Sequence, residues 1–392
     1  MKPNWQYFTV AYALFAAGFF FLIRPKYHNL FYYVALLAPY VILISKDRIE
    51  ILLQASIFRL SLAYLGMVAV SVLWASPSGL HKLSNHLFYF LYLIAFMALT
   101  IELTLKTKKF PDYVLKAILT SATIWIPISI FLFYQNHPWS IRLEGVGRLE
   151  GVGRLENPIT GGLMFGMVAL LCLHATIQKG NFSTLWRSLA ATCGALCLVY
   201  MALTQSRSPV IGLLLAGLIY AVLQRYWKLL LSVLGIAIVV GIAFYLDILP
   251  RDLLTSRGLS YRPEIWQQAL PAIMENPWFG HGATFDQTYQ LSNKLVFQSH
   301  THSAFIASLL FVGIVGTSIL LALIVQSFRY AYRARNQLAT SLLTYAIVIL
   351  FINGYKLLDH PEIEWLYFWL PIALAAANEI RTKDSSAEFR VS

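Results

Sequence analysis

The residues best suited to chemistry are histidines and arginines in or beside one long polar loop. The loop spans residues 247–301, and its end, His300-Thr301-His302-Ser303, runs directly into an apolar segment. A histidine can act as a general base near neutral pH, and arginine offers a planar fork that suits phosphate oxygens. The combination indicates a site for an anionic substrate, although a histidine in such a place is more often only a hydrogen-bonding side chain.

Arg262 opens a predicted helix inside this loop. It stands between Tyr261 and Pro263, and proline suits the first turn of a helix. Apolar residues follow at helical spacing, so the helix would lie on a membrane surface or cap a cavity. Packing alone would explain the apolar stripe, and Arg262 at its start is the candidate for anion binding.

Arg207 lies in a short connection between two apolar segments, Thr204-Gln205-Ser206-Arg207-Ser208-Pro209. Pro209 again fits a first helical turn, which places Arg207 near a helix N-terminus. There the helix dipole and the guanidinium group would both favour an anion. The alternative is a turn whose arginine merely extends toward solvent.

A tandem repeat occupies residues 142–157. Arg142-Leu-Glu-Gly-Val-Gly is followed by Arg148-Leu-Glu-Gly-Val-Gly and then by Arg154-Leu-Glu-Asn. The perfect repetition indicates a recent duplication, and its glycines would let the backbone approach an anion. We expect one copy to be functional, so the three arginines compete for one role.

The elements that must position these residues belong to a very apolar chain. Hydrophobic residues make up 58% of the sequence and charged residues 12%, with a mean hydropathy of +0.63. The chain is therefore predicted to be an integral membrane protein. Its net charge of +12 comes without a basic groove or an RNA-binding motif, so no nucleic-acid partner is expected. Cys172, Cys193 and Cys197 lack zinc or redox spacing and are expected to be small core residues without disulfides.

Twelve apolar segments are long enough to be predicted as membrane-spanning helices of a single all-α polytopic domain, residues 1–392. Lysines and arginines crowd the connections on the side of both termini, so the positive-inside rule places both termini in the cytoplasm. The loop 247–301 then joins spans nine and ten on the opposite face. The predicted spans are residues 7–23, 29–45, 59–76, 85–105, 113–134, 158–178, 186–204, 208–224, 228–247, 302–327, 338–355 and 364–380.

No metal site is predicted, because the sequence lacks the Asp-x-Asp and His-Glu-x-x-His patterns. The densest acidic cluster combines Asp359 and His360 with Glu362 and Glu364. It could orient a histidine, bind substrate hydroxyls or form a solvated turn.

Four local patterns resemble the bacterial O-antigen ligases, within the wider group of O-antigen polymerases and bacterial O-oligosaccharyltransferases, and the span layout is similar over nearly the whole chain. His302-Ser303 precedes Gly313-x-x-Gly316 by nine residues, glycines that we expect to permit close helix packing. The other patterns are Arg262 with Trp266, Pro277, Gly280 and Gly282; Arg148-Leu-Glu-Gly151-x-Gly153 running to Asn157-Pro158; and the short-loop Arg207, where Ile211 replaces a frequent leucine.

The resemblance implies a fold like that of GT-C glycosyltransferases and an enzyme of the bacterial inner membrane with its active site on the periplasmic face. It would transfer a glycan from undecaprenyl diphosphate to a sugar hydroxyl of lipid A-core, with inversion and without a cofactor or metal. His302, Arg207 and Arg262 would be catalytic, with His302 the general base. Four further residues are candidates for substrate binding: Arg148, Arg154, Tyr261 and His300. Arg148 has the spacing to Asn157-Pro158 that fits the pattern best.

Other functions remain open at the level of sequence, including that of a protein-glycosylating relative, which would modify serines of a carrier protein. An O-antigen polymerase would use the same donor but a second lipid-linked glycan as acceptor. A transporter of lipid-linked glycans would use the arginines to bind an anionic substrate in transit. Transporters usually carry charges near the membrane midplane and internal repeats, whereas here the charges gather at one face.

Overall fold

The structure is a computed structural model that describes residues 3–22, 24–75, 79–136, 149, 151, 155–178, 182–228, 230–231, 235, 261–290, 297–298, 300–354 and 356–391. Helices dominate these residues. They are α1 (Trp5–Phe21), α2 (Pro25–Leu43), α3 (Lys46–Gln54), α4 (Ser56–Ala75), α5 (Gly79–Lys106), α6 (Phe110–Asn136), α7 (Pro158–Ile177), α8 (Thr184–Thr204), α9 (Arg207–Leu223), α10 (Arg262–Glu275), α11 (Ala304–Arg333), α12 (Gln337–Ile352) and α13 (Leu370–Val391). A π-helical segment, Tyr32–Leu37, lies within α2, and another, Trp365–Trp369, leads into α13.

Six of the described helices, α4 to α8 and α11, are long and apolar enough to cross a membrane. Helices α2 and α3 pass the same test only as a pair bent by 100°, and α1, α9 and α12 are shorter apolar helices. The prediction of an all-α polytopic membrane protein is thus confirmed. Eleven of the twelve predicted spans coincide with described helices, while the ninth, 228–247, lies largely outside the described residues.

Side-chain caps fix where the helices next to the site begin. Asn157 accepts hydrogen bonds from the amides of Ile159 (2.8 Å) and Thr160 (3.4 Å), and Pro158 occupies the first turn of α7. Ser303 accepts from the amide of Ile306 at the start of α11. Both caps satisfy amides that the first helical turn leaves without partners.

Close contacts between helices set the spacing of the bundle. The hydroxyl of Tyr345 on α12 donates to the carbonyl of Leu163 on α7 at 2.6 Å. Gly212 lets α9 approach α12, because a Cβ there would lie 2.9 Å from the Ile349 side chain. Helices α7, α9 and α12 therefore form one packed unit. The described part of the long loop adds α10 and a short antiparallel pair, β1 (Tyr289–Gln290) with β2 (Phe297–Gln298), in which Tyr289 is opposite Gln298.

Candidate active site

Helix α10 binds both the segment that leads into α11 and the last residue of α12. The indole Nε1 of Trp266 donates to the backbone carbonyl of Thr301 at 2.9 Å. One turn earlier, the guanidinium Nε of Arg262 donates to the carbonyl of Ile352 at 2.7 Å, at the last residue of α12. The ring of Trp266 also packs edge-on against Phe351, with centroids 5.7 Å apart. The loop helix therefore holds the entry to α11 beside the exit of α12.

His302 has a backbone conformation that few side chains adopt. Its φ is +51°, in the left-handed region, which costs a non-glycine residue of the order of 1 to 3 kcal/mol. The conformation is held from both sides, since Trp266 binds the carbonyl of Thr301 and the Thr301 hydroxyl donates to the carbonyl of Ser303 at 2.9 Å. Ser303 then begins α11. Strain of this kind often marks a functional position.

The electrostatic surroundings keep the imidazole of His302 neutral near pH 7. Partial burial lowers its pKa below the ordinary value of 6.5, and the nearby charges of Arg262 and His300 lower it further. Burial also lowers the pKa of Arg262, which as an arginine remains protonated. A neutral imidazole beside a partly desolvated cation can accept a proton while the cation binds an anion.

Helix α11 is interrupted at its tenth residue, and the long loop pairs with the interrupted backbone. Gly313 has φ +63° and ψ −163°, so the backbone there leaves helical geometry. Backbone groups released by the break pair with residues 277–282 of the loop. Four hydrogen bonds make this connection: His281 N to Leu310 O (2.8 Å), Gly282 N to Phe311 O (2.9 Å), Ile314 N to Pro277 O (2.8 Å) and Val315 N to Trp278 O (3.1 Å).

Glycine is required on both sides of this connection. A Cβ on Gly313 would lie 2.4 Å from the carbonyl carbon of Trp278, and a Cβ on Gly280 would lie 2.5 Å from the carbonyl carbon of Phe311. Gly316 instead faces the sulfur of Met67 on α4, at 3.2 Å from a hypothetical Cβ. The predicted close packing therefore applies to Gly316, whereas Gly313 is needed because the loop backbone enters the helix.

Arg207 lies at the first position of α9 and is exposed. Gly212, five residues later, contacts Ile349, three residues before the end of α12. At about 1.5 Å per residue, both helix ends lie within about 8 Å of this contact along their axes. Arg207 is thus at the same end of the bundle as the Ile352 carbonyl that binds Arg262. The charges of Arg262 and His300 act on His302, and Arg207 lies at the same end of the bundle.

Described residues of the arginine repeat contact the end of α8, close to the connection that carries Arg207. Arg148 and Arg154 themselves lie outside the described residues. Leu149 is buried and its amide donates to the carbonyl of Leu203, near the end of α8. Leu155 is also buried, and its carbonyl accepts from the amide of Gly151 at 2.8 Å. This part of the repeat is therefore anchored next to the connection that carries Arg207.

The two remaining candidates lie on either side of the histidine segment. Tyr261 caps α10 with φ +59° and is partly buried. His300 is exposed and lines a cavity of about 510 Å³ together with residues near the start of α5 and in the stretches 283–286 and 356–359. Within the described residues, His302 is not among those that line this cavity.

Comparisons with known proteins show what this chain is similar to. The family described as O-antigen ligase matches residues 192–321, which contain Arg207, Arg262, His300 and His302. The chain is also similar to the O-antigen ligase of Pseudomonas aeruginosa, with 29% identity over 377 residues that cover 93% of this chain and 88% of that protein.

The chain is thus similar to O-antigen ligases over residues 192–321 and along most of its length. It is accordingly a transferase of the glycosyltransferase type and a multi-pass membrane protein. The family match covers residues 192–321 and therefore does not include Arg148 or Arg154.

Two features of the structure were not predicted from the sequence. The first is the insertion of the loop into α11; glycines at 280, 282 and 313 were its only signal. The second is the grouping of Cys172, Cys193 and Cys197, which are buried and free, with sulfur atoms within 4.8 Å of one another. They lie inside α7 and α8, and Cys172 is about 20 Å along α7 from its first residue.

Proposed function

We propose that this protein transfers O-polysaccharide from undecaprenyl diphosphate to a sugar hydroxyl of lipid A-core during lipopolysaccharide biosynthesis. The similarity to O-antigen ligases supports ligase activity in that process. The choice of donor, acceptor and mechanism rests on the chemistry of the junction between the long loop and α11.

One observation carries the proposal. A neutral, partly buried His302 lies close enough to Arg262 for the arginine charge to lower its pKa, and α10 fixes both residues through Trp266 and Ile352. A lipid diphosphate is a leaving group that needs fixed cations beside an apolar bilayer. The acceptor hydroxyl needs a base that is unprotonated at neutral pH.

The proposed reaction is a single displacement with inversion. His302 takes the proton from the acceptor hydroxyl while the hydroxyl oxygen forms a bond to the anomeric carbon of the donor. The bond between that carbon and the diphosphate oxygen breaks, and its electron pair leaves with the diphosphate. Arg262 and Arg207 stabilise the developing charge, so the mechanism needs no metal ion.

The remaining candidates serve binding in this scheme. We assign substrate binding to Arg148 or Arg154, and the amide of the neighbouring Leu149 donates to the carbonyl of Leu203 near the end of α8. Tyr261 lies beside Arg262 at the cap of α10, and His300 lies on the cavity side of His302.

The orientation follows from the positive-inside rule. Both termini are placed in the cytoplasm and the loop 247–301 at the periplasmic face of the inner membrane. Arg207, Arg262 and the histidines then share the compartment in which the lipid-linked donor and lipid A-core would meet.

Reconstitution tests the function. Purified protein in liposomes is given lipid-linked O-polysaccharide with either lipid A-core or a second lipid-linked glycan, and the products are separated by gel. We expect glycan to appear on lipid A-core; growth of lipid-linked glycan instead would identify a polymerase, and no product on either acceptor would contradict both.

Two substitutions test the assigned roles in the same assay. His302→Ala should lower the transfer rate by about 10²- to 10⁴-fold, the contribution of a general base. Arg262→Ala should lower it by about 10²- to 10³-fold, the effect of losing one charge-stabilising donor. Arg329→Ala, an exposed arginine in the last turns of α11, is the matched control and should retain wild-type transfer. A wild-type rate in His302→Ala would refute the base assignment.

A further inference from the structure

The cavity beside His300 has the composition of a saccharide site. Its volume is about 510 Å³, within the range of roughly 300 to 1,000 Å³ of pockets that enclose small ligands. The amide of Asn85 and the carboxylates of Asp286 and Asp359 line it, and two lysines, Lys82 and Lys356, add donors. Such groups can donate to and accept from sugar hydroxyls in the same small space.

Aromatic rings line the same cavity. Tyr89 on α5 and Phe285 in the loop both contribute to its wall. The ring of Phe285 is held by stacking on His281, with centroids 4.2 Å apart, next to the connection between loop and helix. A sugar ring has apolar C–H faces as well as hydroxyl edges, so a wall with both ring faces and polar groups matches it better than it matches a hydrocarbon.

An ion-pair network holds one carboxylate of the cavity in place. His360 lies between two acidic side chains, with Nδ1 2.5 Å from Asp359 and Nε2 2.9 Å from Glu362. These hydrogen bonds raise the pKa of His360 to about 9. Burial would raise the pKa of Asp359, but its hydrogen bond with His360 holds that pKa below the ordinary value. Asp359 is thus a fixed, ionised acceptor for hydroxyl groups at neutral pH.

We infer that this cavity binds the acceptor saccharide, with its reactive hydroxyl directed past His300 to His302. The inference rests on the proposed function and adds where the acceptor lies. Inversion requires the acceptor to approach the anomeric carbon from the side opposite the diphosphate. Neither Arg207 nor Arg262 is among the residues that line the cavity, whereas His300 is, and two residues span at most about 7 Å.

A substitution that fills the cavity tests the inference. Asn85→Trp places a bulky ring at an exposed position of the cavity wall, and Ser84→Trp places the same ring on the neighbouring residue, which is exposed and is not among the lining residues. In the reconstituted assay we expect Asn85→Trp to raise the KM for lipid A-core at least tenfold while the KM for the lipid-linked donor changes less than twofold. Ser84→Trp should leave both values unchanged.

Direct binding separates failure of this inference from failure of the proposed function. Saturation-transfer NMR with deacylated core oligosaccharide should detect binding to wild-type protein and to Ser84→Trp but not to Asn85→Trp. An unchanged acceptor KM together with unchanged binding in Asn85→Trp would overturn the inference, as would a rise in the donor KM alone, which would place donor sugars in the cavity. If wild-type protein forms no product on lipid A-core, the proposed function fails, and oligosaccharide binding still decides whether the cavity is a saccharide site.

Discussion

Replacing Gly313 with alanine should detach the long loop from α11. Gly313 has φ +63° and ψ −163°, a conformation that is essentially restricted to glycine, and a Cβ there would lie 2.4 Å from the carbonyl carbon and oxygen of Trp278. The chain can relieve this overlap only by changing the backbone at residue 313 or by moving residues 277–282 away. Both responses disturb the backbone hydrogen bonds between the loop and the helix.

The size of the effect follows from these two responses. Forcing alanine into the glycine conformation costs about 1 to 3 kcal/mol. Moving the loop away breaks four hydrogen bonds, each with a net value of about 1 kcal/mol, or about 4 kcal/mol together. A loss of about 1 to 4 kcal/mol in the free energy of loop opening corresponds to amide exchange that is about 5 to 700 times faster, because 1.4 kcal/mol is a factor of ten.

Hydrogen exchange followed by mass spectrometry measures this change directly. Peptides that contain the amides of His281, Gly282 and Ile314 should lose protection in Gly313→Ala. The transfer rate should fall at least tenfold, since residues 277–282 directly follow the helix that carries Arg262. Gly217→Ala in α9 is the matched control, because nothing lies within 4 Å of a Cβ at that position. Wild-type protection and wild-type transfer in Gly313→Ala would refute the reasoning.

Three further predictions concern the catalytic junction. Trp266→Phe keeps an aromatic ring against Phe351 but leaves the Thr301 carbonyl without its donor. The turnover rate should fall by about 5- to 150-fold, the effect of about 1 to 3 kcal/mol. An unchanged rate would show that this hydrogen bond does not position His302. The transfer rate should rise with pH through a pKa below 6.5 and level off by pH 7, because burial and the charge of Arg262 favour neutral His302. Arg262→Gln should move the NMR titration midpoint of His302 upward. A downward shift would contradict the assignment. Arg207→Lys keeps the charge but loses the planar fork of the guanidinium group. It should retain more transfer activity than Arg207→Gln, in which the transfer rate should fall by about 10²- to 10³-fold. Equal losses of activity in the two variants would argue against charge stabilisation.

The sequence was sufficient for the architecture because hydrophobicity acts locally. Segments of about 20 apolar residues must be helical in a bilayer, where every backbone group needs an internal partner. In the structure, the side chains of Asn157 and Ser303 cap α7 and α11, as their residue types favour. Helix α11 begins at Ala304, two residues after the predicted start of span ten.

Contacts between distant parts of the chain could not be predicted in this way. The bond from Arg262 to Ile352 joins residues 90 positions apart, and the bond from Trp266 to Thr301 joins residues 35 apart. The three cysteines meet although their spacing matches no known motif. Apolar helices carry little information about which of their faces meet, so these pairings depend on the packing of the whole bundle.

The sequence by itself determined that the chain is a polytopic membrane protein and which family its motifs resemble, and it predicted which arginines and histidines share one face. Only the tertiary structure decided that the loop backbone enters α11 at Gly313, that His302 is strained and neutral beside Arg262, and that His300 belongs to a polar cavity. The physical reason is the distance along the chain over which each interaction acts. Helix formation and the apolar character of a segment are set by neighbouring residues. The pKa of a histidine and the pairing of a broken helix are set by groups that folding brings from far along the chain.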